Sequence, residues 1–386
     1  MSKWLIQPLL QACQLTGNRV NAFTEMRPYV STGDVNGNDV TPSASVTFDA
    51  RPSRADLGAN NGDILFARMQ ATEKVVLVTG ERSNYIWSTG FAALRPKQGT
   101  NSRWVAYWLQ SQPFQERKNA LCTGATQKAI TNDAIRELSI PIPPLAEQER
   151  IVRILDEADQ LRRLRAEADE RTAQAISGLF STMFSESRAA ENRWPVVSMG
   201  ELFLHVSGAT PSTENPDFWS GAIPWVSPKD MKTPEINDTT DHISDAALKS
   251  SRLRLLPKDT VLIVVRGMIL AHTFPVTITR VPVTINQDMK ALLPRAEIEP
   301  DYLHWLLKSN AAKILSLVST AGHGTKRLEM ALLLGLTVSV PPKSLQREFS
   351  SYVSQVRTLE AAQVDSRRRL DDFFHSLLHR AFQGEL

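Results

Sequence analysis

The chain has 386 residues, 42% of them hydrophobic and 22% charged, with a formal net charge of +3. That is long enough for two ordinary domains with sizeable cores. No apolar run approaches the length of a membrane span, and Gln7, Pro8 and Gln11 interrupt the short apolar start, which therefore reads as mature protein and not as a signal. Cys13 and Cys122 have neither paired nor metal-ligand spacing, which argues against a disulfide framework and favours a reducing, cytoplasmic setting.

Residues 1–143 are rich in turn signals, at Thr32-Gly33-Asp34, Asn36-Gly37-Asn38, Asn60-Asn61-Gly62 and Thr79-Gly80. Strand-like pieces lie between them, Ile64 to Ala67 and Val75 to Val78, and Trp104 to Gln110 has helical spacing. This composition predicts a mixed α/β domain with much loop surface. It carries 15 basic and 11 acidic groups, a weak excess compatible with DNA but insufficient to establish it.

Pro143 and Pro144 then stop any incoming strand, and an uninterrupted run to Met183-Phe184 predicts one long helix. Its apolar stripe is placed at Ile151, Ile154, Ala158, Leu161, Ala168, Ala175, Leu179 and Met183, on an otherwise charged rod. Glu147 and Glu149 put negative charge on its first turn, where the helix dipole favours it. The rod is assigned to 144–186, and the polar stretch 187–192, with no capping residue of its own, reads as a linker before Trp194-Pro195.

The second half repeats the first. Tyr29-Val30-Ser31 matches Trp225-Val226-Ser227, and Asp34 matches Asp230. Further on, Arg68 pairs with Arg266, Pro96 with Pro294, Tyr107-Trp108-Leu109 with Trp305-Leu306-Leu307, Gly124 with Gly322, and Pro143-Pro144 with Pro341-Pro342. Residues 193–342 thus form a second α/β domain, and 343–386 a second rod. Its stripe is placed at Leu345, Phe349, Tyr352, Val356, Leu359, Leu370, Phe373, Leu377 and Phe382.

The fold class expected is α+β: two repeated mixed domains, each followed by a long helix, the helices packing as an antiparallel coiled coil. Each rod is roughly 60 Å long at about 1.5 Å per residue. Their midpoints near Arg165 and Gln363 would fall together, putting polar groups in the seam, where such groups fix register. The matching positions are prolines, glycines and strand apolars, while the residues between them differ, as two separate recognition tasks would require. Two unlike reading heads on a spacer suit a split DNA target with a constant gap.

In its motifs the chain resembles the specificity subunit of type I DNA restriction-modification enzymes. The residues that carry the likeness are Ile140-Pro141-Ile142-Pro143-Pro144-Leu145-Ala146-Glu147-Gln148-Glu149-Arg150-Ile151-Val152, the Leu179-Phe180 to Met183-Phe184 close, and the terminal Ala381-Phe382-Gln383-Gly384-Glu385-Leu386. Gly124-Ala125-Thr126-Gln127-Lys128 and Val264-Val265-Arg266-Gly267 are further pieces. Two departures stand out: Met69 follows Arg68 where the second copy has Gly267, and the second rod opens with Pro342-Lys343-Ser344-Leu345-Gln346, without the fuller Leu-Ala-Glu-Gln-Glu-Arg run.

The resemblance implies two target recognition domains reading an asymmetric bipartite site in double-stranded DNA. It also implies helices that dock two modification methyltransferase subunits, and an assembly that recruits restriction/translocase subunits. The chain itself would carry no cofactor and no chemistry, with S-adenosylmethionine, ATP and Mg expected on the partner subunits. The reading from another class is a repeat-built structural or interaction protein that binds protein or carbohydrate.

There is no phosphate loop and no glycine-rich dinucleotide fingerprint. The seven histidines show no metal spacing; His242 and His272 stand alone, and His304 falls in a helical stretch. Asp217, Asp230 and Lys232 imitate a metal-nuclease motif, but Asp230 aligns with Asp34, whose neighbours supply no lysine, so the acid reads as a repeated scaffold turn. Trp87, Trp219 and Trp225 read as core.

For DNA the loop before each rod is favoured, with Thr126, Gln127 and Lys128 in the first copy and Thr325, Lys326 and Arg327 in the second. Lysines and hydroxyls there position the backbone, while Gln127 or Arg327 reach base edges. Arg68 and Arg266 close matching strands, as DNA contacts or as partners of a carboxylate. Ser31, Thr32, Lys229 and Lys232 follow matching strand ends. On the rods, Leu155, Ile176 and Phe374 lie beyond the seam and Phe180, Phe184, Leu378 and Phe382 at its ends; all are assigned to a second face for partner helices.

Overall fold

The computed structural model describes residues 3–17, 19–37, 39–320 and 324–386. Asn38 of the second turn signal and Gly322, the counterpart of Gly124, lie outside the described residues. The chain resolves into two compact units, one of residues 1–167 with 364–386 and the other of residues 168–363. Each long helix is therefore shared: its first part belongs to one unit and its second part to the other.

In the first unit the central strand Ile64–Ala67 is buried on both faces, as its unbroken apolar sequence demands. It lies between Phe91–Pro96 and Val75–Leu77 in an antiparallel sheet completed by Cys13–Thr16. A second sheet runs Ala44–Val46, Arg27–Val30, Ile86–Ser88, Ala55–Leu57, with Arg27–Val30 and Ile86–Ser88 parallel. The helix Ser102–Gln110 starts where the Asn101 side chain accepts from the Arg103 and Trp104 amides. Its Trp104 and Trp108 indoles donate to Pro141 and Ser139 at 2.9 and 2.8 Å. They thereby fix the exit strand Ser139–Ile142, which also pairs with Leu5–Pro8.

The second unit builds the same plan from different side chains. Val261–Val264 is its fully buried centre, flanked by Met289–Pro294 and Val276–Thr279, and Ile223–Val226 pairs in parallel with Thr284–Ile285. Pro300 opens the helix Pro300–Ser309 at a position that needs no amide donor. The exit strand Thr337–Ser339 pairs with Val196–Ser198. The stretch 187–192 is not a plain linker: Ser185 accepts from the Arg188 amide and caps a short helix, Glu186–Glu191, with Ala189 buried. The cap stands two residues ahead of the polar run.

The two long helices, Leu145–Met183 and Lys343–Gln383, pack antiparallel. In the first unit Ile151, Val152, Leu155 and Ala158 share a core with Phe374, Leu377, Leu378, Ala381 and Phe382. In the second, Ile176, Phe180 and Met183 meet Phe349 and Val353. Both stripes read from the sequence need correction. Leu161, Leu359 and Phe373 are each 51% exposed and Tyr352 38%, while Ala175 also faces out.

The cause is polar substitution along the true seam. Arg162 pairs with Asp371 at 2.7 Å in the first unit, and Gln363 donates to the Thr172 hydroxyl at 2.9 Å in the second. With polar residues on the inward line, apolar spacing followed a neighbouring line. Among the described residues no helix is long and apolar enough to cross a membrane.

Each helix starts with the same buried clamp. Gln148 accepts from the Asn101 amide at 2.8 Å and donates to the carbonyls of Gly99 and Pro143 at 3.1 and 2.8 Å. Gln346 accepts from the Glu299 amide at 3.0 Å and donates to Pro341 and Glu297 at 2.9 and 3.5 Å. Both side chains are buried, and each ties the long helix to the loop before Ser102–Gln110 or Pro300–Ser309.

Candidate nucleic-acid interface

The central strand, the parallel pair of the second sheet and the loop before the long helix converge on one edge in each domain. In the first, the Arg68 amide donates to the Gly90 carbonyl at 2.9 Å, the Ile130 amide to Arg68 at 3.0 Å, and the Gln70 amide to Lys128 at 2.9 Å. Thr123 and Ala129 exchange backbone bonds at 3.1 and 2.9 Å, closing the loop 124–128. Gly124 is required there: φ is +132°, and an added Cβ would stand 2.4 Å from the Gln127 carbonyl oxygen. Thr126, Gln127 and Lys128 are left exposed at the tip.

Ser31 and Thr32 join the same edge. Ser31 caps a single turn, its side chain accepting from Gly33, and the Asp34 carboxylate accepts from the Ser31 amide at 2.6 Å and the Ser43 hydroxyl at 3.0 Å. The Thr32 carbonyl accepts from the Lys74 ammonium at 2.6 Å. Burial alone would raise the Asp34 carboxyl, but the bonds from Ser31 and Ser43 outweigh it and hold the group below the ordinary carboxylate range.

The second domain repeats the edge with altered parts. Asn286 donates its amide to Val226, Val265 and Arg266 donate to Asp288, and the Gly267 amide donates to Lys326 at 3.0 Å. Arg266 is bridged to Arg327. Where the first domain has the single bridge of Thr123 to Ala129, Lys326–Leu328 pairs antiparallel with Val318–Thr320. Asp230 accepts from Ser227 on one oxygen and from Thr240 on the other. Burial would raise this carboxyl too, and those bonds again outweigh it and hold the group low.

Both Asp230 oxygens are thus engaged in a capping turn like that of Asp34. Among the described residues no three His, Cys, Asp or Glu side chains lie together as a metal site.

The predicted DNA residues fall into two groups. Thr126, Gln127, Lys128, Lys232 and Arg266 are exposed, and the Lys232 and Arg266 side chains have no hydrogen-bond or ion-pair partner among the described residues. Lys229 is paired with Asp241 at 2.6 Å and Arg327 with Glu329 at 3.1 Å, while Lys326 donates to the Thr320 hydroxyl at 2.9 Å. Exposed pairs of this kind hold about 0–1 kcal/mol and yield readily to a phosphate. Thr325 is half-buried beside them.

Arg68 departs from expectation. Among the described residues its guanidinium meets no carboxylate, donating instead to the carbonyls of Phe91 and Ile130 at 2.9 and 3.3 Å and to the Asn132 side chain at 2.7 Å. Burial pulls it below the ordinary arginine value. It is a brace beneath the edge, not a free cation on it.

The residues assigned to a partner-facing surface also need correction. Leu155, Ile176, Phe180, Phe374, Leu378 and Phe382 are all buried in the chain's own cores. Phe184 is half-buried against Phe180, Tyr302 and Phe349. Each domain needs bulky groups from the ends of the helices to close its core, which leaves none of the seven available as an external face. The clamps at Gln148 and Gln346 were missed, although both lie the same distance after the proline pair. His304 is buried with Nε2 unpartnered, its pKa pulled down to about 3 by burial and then by Lys308.

Comparison with known proteins places this geometry in context. The family described as type I restriction modification DNA specificity domain matches twice, over residues 15–170 and 191–364. The EcoR124I/EcoR124II specificity subunit of Escherichia coli is 28% identical over 290 residues, covering 72% of this chain and 70% of its own length. The HindI specificity subunit of Haemophilus influenzae is 20% identical, covering 93% and 94%.

Among solved structures, a chain from a type I R-M system described for complex assembly and conformational transition superposes with a TM-score of 0.65. It has 21% identity and coverage of 99% and 98%. The type I restriction-modification S subunit from M. genitalium gives 0.53 at 18% identity, covering 99% and 96%. These last two likenesses bear on the fold.

Proposed function

The chain belongs to the type I restriction-modification DNA specificity family, and from that premise we propose that it reads an asymmetric, bipartite site in double-stranded DNA. Each domain reads one half. The observation that carries the proposal is the recurrence of one edge in both domains, with the same hydrogen-bonded frame and different exposed side chains. A shared frame gives both domains the same approach to a duplex, and unlike side chains give them different base preferences. In the first domain the exposed set is Thr126, Gln127 and Lys128; in the second it is Lys229, Lys232, Arg266 and Arg327, with Thr325 and Lys326 half-buried beside them. Ser31 and Thr32 shape the first edge from the side.

The chain supplies recognition and no catalysis. Adenine methylation, with S-adenosylmethionine, falls to modification methyltransferase subunits, and ATP-driven translocation and Mg-dependent cleavage fall to restriction subunits. Docking of the methyltransferases is assigned to apolar side chains that the helices leave in water: Leu161, Leu164 and Phe373 in the first unit, Tyr352 and Leu359 in the second. Large exposed apolar groups at helical spacing need a cover, and these replace the buried residues considered from sequence.

The test is genome-wide mapping of methylated adenine in cells that express the chain with its cognate methyltransferase, against cells with the methyltransferase alone. One bipartite motif is expected, and exchange of residues 1–143 for those of a relative should change one half of it. Absence of a motif, or a motif untouched by the exchange, would overturn the reading. Binding should also fall steeply with salt, as phosphate contacts require; a salt-insensitive chain would point to protein or carbohydrate recognition.

A further inference from the structure

The turn that follows the arginine of each central strand lies on the edge described above, and the two domains build it from opposite chemistry. In the first domain, residues 69–72 are held from below by Lys118, whose side chain is fully buried. Its ammonium donates to the carbonyls of Met69 and Thr72 at 3.3 and 2.6 Å. The Ala71 amide donates to the Asn119 side chain at 3.0 Å, and the Gln70 side chain donates weakly to the Asn119 carbonyl at 3.4 Å. Ala71 has φ +55°, a conformation that a residue other than glycine adopts only when its surroundings impose it. A buried cation and an imposed backbone conformation are a costly way to build a surface turn. What they present to solvent is Gln70.

In the second domain Gly267, at φ +137°, turns the chain directly into Met268–Ala271. Leu270 is buried below and anchors the turn. Met268 and Ile269 stand side by side, 62% and 40% exposed. Three cationic residues adjoin it: Arg266 precedes the turn, the Gly267 amide is bonded to the Lys326 carbonyl, and Arg327 is bridged through its backbone to Arg266. An exposed apolar pair beside a cluster of cations, of which Arg327 is shared with Glu329, matches the surface of duplex DNA, where phosphates border base edges. The apolar feature those edges offer in the major groove is the thymine 5-methyl group.

We propose that this turn is a base-reading element in both domains, polar through Gln70 in the first and apolar through Met268 and Ile269 in the second, where it packs on a thymine methyl. The proposal rests on the reading of the chain as a DNA specificity subunit. Glutamine suits the paired donor and acceptor of adenine, and Lys118 is a positioning residue that holds Gln70 at the edge.

The test uses the full complex with its methyltransferase. M268A/I269A should leave the first half-site unchanged and relax the second at a single A·T pair, whereas M268L/I269V should keep the original motif. In duplex binding, uracil in place of thymine at that pair should weaken the wild-type complex about fourfold, the share of one buried methyl-sized group. It should leave M268A/I269A unaffected. Q70A and K118M should relax one shared position of the first half-site, and if K118M fails to fold, Q70A alone decides for that domain.

An unchanged second half-site in M268A/I269A, or a relaxed pair indifferent to the thymine methyl, overturns the proposal. Unstacking at that step, reported by 2-aminopurine fluorescence without methyl dependence, would show a wedge instead and overturns it equally. Absence of any bipartite motif from the wild-type chain would be a failure of the underlying reading, and is told apart by that.

Discussion

Replacing Gln148 with alanine tests how each long helix is fixed to its domain. The amide is buried and makes three hydrogen bonds, at 2.8, 3.1 and 2.8 Å, to the Asn101 amide and the carbonyls of Gly99 and Pro143. The bond to Pro143 is itself buried, so its loss strands an acceptor at about 1–3 kcal/mol. The other two groups lie closer to water and lose about 1 kcal/mol each. The expected cost is therefore about 3–5 kcal/mol, near the upper end for a single substitution.

A chain of two units need not unfold in one transition, so the assay is hydrogen exchange resolved by peptide. Protection should fall over 99–110 and 143–152, with the second unit unchanged. Q346A should do the converse at slightly smaller cost, because its bond to Glu297 is long at 3.5 Å. Q148E is the sharper variant: a carboxylate keeps the acceptor but cannot donate to two carbonyls, so it should be at least as damaging. Wild-type protection in Q148E, or a loss below about 0.5 kcal/mol in Q148A, would refute the clamp.

The helix faces separate in a second comparison: F180A and F382A should each destabilise by about 3–5 kcal/mol. L161S and F373S should change stability by about 0.5 kcal/mol or less yet weaken methyltransferase association in sedimentation. Two acid-pH effects follow from burial and hydrogen bonding. Asp34 and Asp230 have lowered folded pKa values, so their stabilisation is complete above the unfolded value of about 3.9 and is lost as pH falls through the folded ones. D230N should show a shallower acid limb in urea titrations.

His304 stays neutral to about 3, while the unfolded chain takes up its proton near pH 6.5. Stability should therefore decline by up to about 1.4 kcal/mol per pH unit below that point, and H304M should flatten this part of the curve. At the DNA edge, R266A should leave stability unchanged and reduce the salt slope of binding by about 1. R68A should destabilise the first domain instead, which thermal denaturation will show.

The architecture was legible because its strongest determinants are local. The proline pairs, the unbroken run after Pro144 and the apolar centres Ile64–Ala67 and Val261–Val264 each dictate an element with few alternatives, and their recurrence exposed the repeat. The seam of the long helices was less legible. Its middle is carried by Arg162 with Asp371 and by Thr172 with Gln363, and apolar periodicity is blind to polar contacts. Partner-facing and core-closing residues were exchanged for the same reason. Phe180 and Phe382 look like spare bulk on an isolated helix, and only the aromatic surroundings of Tyr302 and Phe349, or of Trp104 and Trp108, show that each fills a core. The cap at Ser185 escaped notice because it lies outside the polar run that it organises.

The two arginines show how a repeat yields two functions from one frame. Arg68 and Arg266 end equivalent strands, and both have a carbonyl near their own backbone to lean on. Arg68 leans inward on the carbonyls of Phe91 and Ile130 and is held at the surface by Asn132, whose side-chain oxygen accepts from its guanidinium at 2.7 Å. The counterpart of Asn132, 198 positions on, is Met330, which offers no comparable acceptor, and Arg266 is left exposed. The exchange of Asn132 for Met330 thus accompanies the bracing of Arg68 in one copy and the exposure of Arg266 in the other. Matching arginines therefore could not be assigned matching roles from their own alignment; the informative pair was Asn132 and Met330. The same logic links Lys118, which has Ser316 in its place in the second copy, to the different turns above it. Divergence in the supports beneath the edge thus changes what the edge presents, as divergence in the side chains upon it does.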